Sequence, residues 1–144
     1  MSKARVIGTT IDAILAAEAE LGRQLPESLS KWLLANNGKT LDSLTIFPVY
    51  DKRDPRKTWD SIVRTFRGNW RSWINNFPEN QKKLEELLPI AEFGTGDYYC
   101  LDYSKTGISG EPIITKWSHE TGETTFIAES FSEFLKIDPE SLIP

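Results

Sequence analysis

Leu88-Pro89-Ile90-Ala91-Glu92-Phe93-Gly94-Thr95-Gly96-Asp97-Tyr98-Tyr99-Cys100-Leu101-Asp102-Tyr103 is the stretch in which the hydrophobic period changes. Before Pro89 apolar residues recur at three- and four-residue spacing. After it they come in short runs separated by turn residues, the pattern of strands. Ile90–Phe93 reads as one strand, Gly94-Thr95-Gly96-Asp97 as turn chemistry, and Tyr98–Tyr103 as a second strand. Working towards the C-terminus, Ile113–Trp117 is a third strand. Thr121-Gly122 within His119–Glu123 makes a hairpin turn, and Thr124–Ala128 returns as a fourth strand. Ser130 caps a closing helix with Phe131, Phe134 and Leu135 on one face, and the chain is expected to fray after Asp138–Pro139.

Working towards the N-terminus, the period is helical. Thr10 is an N-cap for a stripe of Ile11, Ile14, Leu15 and Leu21, which Gly22 stops. Pro26 suits a first helical position; Leu29, Trp32 and Leu33 follow, and Asn37-Gly38 ends that helix. Leu44–Val49 alternates weakly as a short strand. Asp54-Pro55 reads as a cap followed by Pro at N1, with Trp59, Ile62, Val63 and Phe66 at i, i+3, i+4, i+7, so all four are expected to be buried. Gly68 stops that helix. Trp70, Trp73, Ile74 and Phe77 repeat the spacing up to Pro78. Asn80 then caps a piece carrying Leu84, Leu87 and Leu88, ended by Pro89. Helices first, an antiparallel meander next and a helix last make an α+β fold, because segregated elements pack in that way. The expectation is one domain over residues 1–144, with its core in 10–136, an antiparallel sheet of at least four strands and a closing C-terminal helix.

A chain of 144 residues can bury a core without disulfides or metals. Cys100 is the only cysteine, so no internal disulfide forms, which suits a reducing compartment. The early apolar run is broken by Asp12 and closed by Glu18 and Glu20, which excludes a secretory signal, and no stretch approaches a membrane span. A cytoplasmic location is expected. Net charge is −4 but unevenly placed: residues 52–83 hold 9 Lys/Arg and 3 Asp/Glu, whereas residues 84–144 hold 3 and 12. Such asymmetry fits a charged partner for one face, or two regions lying side by side and screening each other.

Catalytic constellations are scarce. His119 is the only histidine, so any triad must use it, and its place beside a hairpin turn favours a solvated turn residue. Cys100 sits inside an apolar strand, the setting of a small core residue and not of an activated thiolate. One Cys and one His cannot supply a zinc site. Asp97 and Asp102 flank a strand and not a calcium loop. Among 21 acidic residues some pair always suggests a carboxylate-based hydrolase, so such a pair carries no weight. Gly94-Thr95-Gly96 leads into a strand and so lacks the helix N-terminus of a phosphate loop. No cofactor or metal is expected. Lys52, Arg53, Arg56, Lys57, Arg64, Arg67 and Arg71 interleave with Trp59, Phe66, Trp70 and Trp73, a mixture that single-stranded nucleic-acid binders use. Their helical spacing favours a buried stripe with a charged outer face, so a nucleic-acid binder through residues 52–73 is the weaker reading.

In order along the chain, Glu18-x-x-Leu21-Gly22-x-x-Leu25-Pro26, Asn37-Gly38, Leu88-Pro89-Ile90-Ala91, Gly96-Asp97-Tyr98-Tyr99-Cys100-Leu101-Asp102, Trp117-Ser118-His119-Glu120 and Ser130-Phe131-x-x-Phe134-Leu135 resemble the SUKH superfamily. It groups fungal cell-wall-assembly regulators of the Smi/Knr type with bacterial immunity proteins that bind toxins, often nucleases. The resemblance spans most of residues 10–136; the stretch 50–83 does not align with it. It implies a non-enzymatic protein-binding module, with a toxin domain encoded nearby as partner, or regulation of cell-wall synthesis by analogy with the fungal members. Because nuclease surfaces are basic, the acidic residues in or next to the meander are the candidate contacts: Asp97, Asp102, Glu111, Glu120 and Glu123. The sequence leaves the oligomeric state open.

Overall fold

A computed structural model describes residues 8–41, 44–93 and 96–137 of the chain. Helix α1 is Ile11–Leu21, capped by Thr10, whose hydroxyl accepts from the Ala13 N–H at 3.2 Å. Gly22 ends it at φ +71°, and its N–H donates to the Glu18 carbonyl. The buried stripe is Ile14, Ala17 and Leu21; Ile11 and Leu15 are exposed, against expectation. At 100° per residue the inward face is centred on Ile14, Ala17 and Leu21, and Ile11 and Leu15 fall to one side of it.

The turn into α2 (Glu27–Asn36) is held by the Glu18 carboxylate, which accepts from the Leu25 N–H at 2.7 Å. Pro26 lies one position outside the helix, as its N-cap, and has no side chain with which to cap it. Glu111, from the distant loop 107–111, does so instead: its carboxylate accepts from the Ser28 N–H at 3.1 Å and the Ser28 hydroxyl at 2.5 Å. Asn37 follows α2 and pins the segment after the second strand, bonding both backbone groups of Val49.

Among the described residues six strands form one sheet in sequence order, every neighbour antiparallel: β1 (Thr40–Leu41), β2 (Leu44–Ile46), β3 (Leu87–Phe93), β4 (Asp97–Thr106), β5 (Pro112–Trp117) and β6 (Thr124–Ala128). The antiparallel α+β architecture expected from the sequence is therefore present, with α6 (Phe131–Leu135) closing it. The period changes three residues earlier than the sequence reading places it, with β3 starting at Leu87 and not at Ile90. Pro89 lies within β3, and the register shifts between it and Ala91. A proline has no N–H for the ladder and is tolerated at such an irregularity. The expected turn at Gly94–Asp97 and the expected fraying after Asp138 fall partly or wholly outside the described residues.

Between β2 and β3 the chain makes α3 (Ile62–Arg67), α4 (Asn69–Asn75), a 3₁₀ turn (Pro78–Asn80) and α5 (Gln81–Glu85). Ser61, and not Asp54-Pro55, starts α3: its hydroxyl accepts from the Arg64 N–H at 3.1 Å. Residues 52–60 are turns, so Trp59 falls outside the helix and is 53% exposed, which corrects its expected burial. Ile62, Val63 and Phe66 are buried as their spacing predicts.

Tyr98 and Tyr99 are adjacent on β4 and point to opposite faces. Trp70 of α4 meets Tyr98 edge-on at 5.9 Å, and Phe134 of α6 meets Tyr99 at 5.2 Å, so helices cover both faces of the central strands. Trp117 is fully buried among Trp70, Trp73, Phe77 and Tyr98, with ring centroids 4.8–6.2 Å away. Edge-on aromatic pairs add about 0.5–1.5 kcal/mol each beyond the area they bury. This cluster fixes the hairpin that Trp117 begins.

Candidate functional site

The five acidic candidates do not converge. Asp97 opens β4 and accepts from the backbone N–H of His119 at 3.0 Å, with the His119 Nδ1 at 2.7 Å. Burial pushes its carboxyl up, but the hydrogen bonds from His119 outweigh this and leave its pKa below the usual carboxylate value. Asp102 is 3% exposed, and its Oδ1 takes the N–H and hydroxyl of Ser104; a buried side chain so engaged does not reach a partner. Glu111 is occupied by Ser28 at the start of α2. Glu120 and Glu123 are exposed, both in the β5–β6 hairpin. The acidic surface thus narrows to that hairpin, with Asp97 and His119 bracing it beneath.

His119 has a partner that fixes its ring: Asp97 on one nitrogen and the Trp73 ring 5.5 Å away. A carboxylate–imidazole pair is one part of a nucleophilic apparatus, and a nucleophile in hydrogen-bond reach is the other; no such contact to His119 is present among the described residues. Cys100 is fully buried, and burial pushes its thiol well above the ordinary value, with the Asp102 carboxylate adding to the effect. No group of three or more Asp, Glu, His or Cys stands ready to hold a metal among the described residues. No helix there is long and apolar enough to cross a membrane.

The sequence reading missed a groove of about 620 Å³ between the turns of residues 50–61 and helices α3 and α4. Tyr50 and Trp59 line it, 46% and 53% exposed. Arg64 lies over the Trp59 ring, 4.4 Å from its centroid. Arg64 and Arg67 also face carboxylates loosely, Asp60 at 4.0 Å and Glu20 at 3.9 Å. A polar hollow of about 330 Å³ shares Asp60, Thr65 and Asn69 with the groove. The loop behind is rigidly tied. Asp51 is 3% exposed and accepts from Arg53, from the Thr9 hydroxyl at 2.8 Å and from the Arg53 backbone. The Thr58 hydroxyl takes the Asp51 N–H at 2.9 Å. The signal that would have found this site is Asp60-Ser61 directly before Ile62-Val63, a second possible cap that leaves Trp59 outside the helix.

A further apolar hollow of about 520 Å³ lies between the β4–β5 loop and the β6–α6 edge, where Ile108 is 91% and Phe126 57% exposed.

Comparison with known proteins gives a consistent picture. The model of the SMI1 / KNR4 family (SUKH-1) matches residues 8–137. Among solved structures, that of a protein from Pseudomonas syringae pv. tomato superposes with a TM-score of 0.58 at 19% identity, covering 94% of this chain and 87% of that one. At that identity the likeness shows the fold alone. No curated protein matches the sequence.

Proposed function

From the premise that the chain belongs to the SMI1 / KNR4 family (SUKH-1), we propose that it is a non-enzymatic immunity protein that binds and neutralises a toxin domain encoded beside it. What supports the reading in the geometry is the β5–β6 hairpin, where Glu120 and Glu123 stand exposed within residues 84–144, which hold 12 Asp/Glu against 3 Lys/Arg. A toxin that handles nucleic acid presents a basic surface, and a complementary acidic surface steers it into contact and covers it. The hairpin is well built for this. The Trp117 cluster anchors its base, and Asp97 fixes its turn through His119. An interface held still before binding loses less entropy on association.

The test is co-expression with the neighbouring toxin domain, together with calorimetric titration of the purified pair. Rescue of growth and one-to-one binding without turnover are expected. Cells that die while the folded protein is abundant would overturn the neutralising role.

A further inference from the structure

Resting on the protein-binding reading above, we infer that the groove of Tyr50, Trp59, Arg64 and Arg67 is a second docking surface, and that it takes a segment of a partner protein in which an apolar side chain lies beside a carboxylate. Of the five tryptophans only Trp59 is exposed; Trp70 and Trp117 are fully buried, and Trp32 and Trp73 half-buried. Its exposure is not slack. The Asp51–Arg53–Thr58 network holds the loop before it, and the Ser61 cap holds the helix after it. A fixed indole open to water, beside a tyrosine and two arginines, has the composition of the few residues that dominate protein interfaces.

Charge selects the occupant. Residues 50–71 carry seven Lys/Arg against three Asp/Glu on a chain that is acidic overall. Arg64 meets Asp60 only at 4.0 Å; Arg67 meets the Glu20 carboxylate at 3.9 Å and also donates to the Glu20 carbonyl at 3.2 Å, so Arg64 is the freer of the two, and all four side chains are more than half exposed. Ion pairs of that kind are worth little in water, so a carboxylate on a partner exchanges in at small cost. A guanidinium accepts it bidentately, while Tyr50, Trp59 and Val63 offer the apolar wall for the neighbouring side chain. A nucleic acid fits less well. Single-strand binders stack successive bases on several rings, and this groove offers only Tyr50 and Trp59, the latter with Arg64 already over it.

The probe is an acetylated, amidated peptide of sequence Gly-Glu-Leu-Glu-Glu-Leu-Glu-Gly, labelled for anisotropy and added to the whole protein. Unlabelled, it should shield Trp59 from acrylamide quenching. Trp59→Ala and Arg64→Glu should each weaken the labelled peptide by about tenfold, with Trp59→Phe close to the parent. The emission of the buried tryptophans reports that each variant is folded. A leucine-free glutamate peptide binding equally well would overturn the apolar half of the inference. A thymidine oligonucleotide that shields Trp59 in place of the peptide would make the groove a nucleic-acid site. Shielding that grows with protein concentration alone would make it a self-association surface. No shielding by any of these would leave no docking site. If the toxin still binds and only the Glu120 and Glu123 reversals disturb it, the groove fails and the neutralising role stands. If the peptide binds and the toxin does not, the reverse holds.

Discussion

Asn37 binds Val49 as a neighbouring strand would: its side-chain Nδ2 donates to the Val49 carbonyl and its Oδ1 accepts from the Val49 N–H, each at 2.9 Å. Both residues are buried, Val49 completely and Asn37 at 2% exposure. The pair closes the end of β2 onto the end of α2 and sets where the loop of Tyr50 begins.

Replacing Asn37 by Ala leaves a buried donor and a buried acceptor without partners. Each orphaned group costs about 1–3 kcal/mol, so Asn37→Ala should lose roughly 2–4 kcal/mol. Urea unfolding should show a lower midpoint at unchanged slope. A loss below about 0.5 kcal/mol, the range of an ordinary surface change, would mean that water replaces the amide and the segment is not held by it.

Phe66 and Trp59 share one helical spacing in the sequence but stand in opposite environments. Phe66 is 7% exposed, with the guanidinium groups of Arg23 and Arg71 over its ring at 5.3 and 5.1 Å. Phe66→Ala should cost about 3–5 kcal/mol, whereas Trp59→Ala should cost at most about 1 kcal/mol, the worth of an exposed cation–π contact. Equal costs for the two would contradict the placement of Ser61 as the start of α3.

These two residues also mark how far the sequence can be read. Periodicity locates strands and helices whose partners are one face of one element, as in Ile62, Val63 and Phe66. It does not choose between two competing caps seven residues apart, and Asp54-Pro55 loses to Ser61 because Asp51 draws the intervening loop into its own hydrogen bonds. Pro89 misleads similarly: it reads as a helix stop, but β3 absorbs it at a register shift. The acidic candidates were legible as charges and not as roles. Asp97 and Glu111 find their partners 22 and 83 residues away, in His119 and Ser28, and Asp102 turns inward to Ser104. Such pairings belong to the folded chain and leave no local trace.

Asp51 gives a pH dependence with a definite sign. The Arg53 guanidinium beside it, working against burial, holds its carboxyl well below the ordinary range. A carboxyl whose pKa is depressed by folding contributes stability that is complete above its unfolded value, near 3.8, and is lost as pH falls towards the folded one. The thermal midpoint should therefore fall steeply below about pH 4. Asp51→Asn should be less stable than the parent at neutral pH and should flatten that acid limb. A parent and variant with parallel profiles would remove Asp51 as the cause.

Glu120 and Glu123 carry the charge prediction, because they are exposed and neither holds the fold through its side chain among the described contacts, whereas Asp97 does. Reversing both to Lys should change stability by only about 0.5 kcal/mol. If the hairpin steers a basic toxin, association measured by stopped flow should slow about tenfold with the double reversal, while dissociation changes less. Raising the salt should slow the parent as well, since the screening length shortens from about 30 Å at 0.01 M to about 8 Å at 0.15 M, and the two proteins should converge. Parent and double-reversal proteins that associate equally fast at low salt would remove the hairpin from the encounter surface. Convergence reached from unequal starting rates is the signature that steering by these two carboxylates, and not their packing, sets the rate.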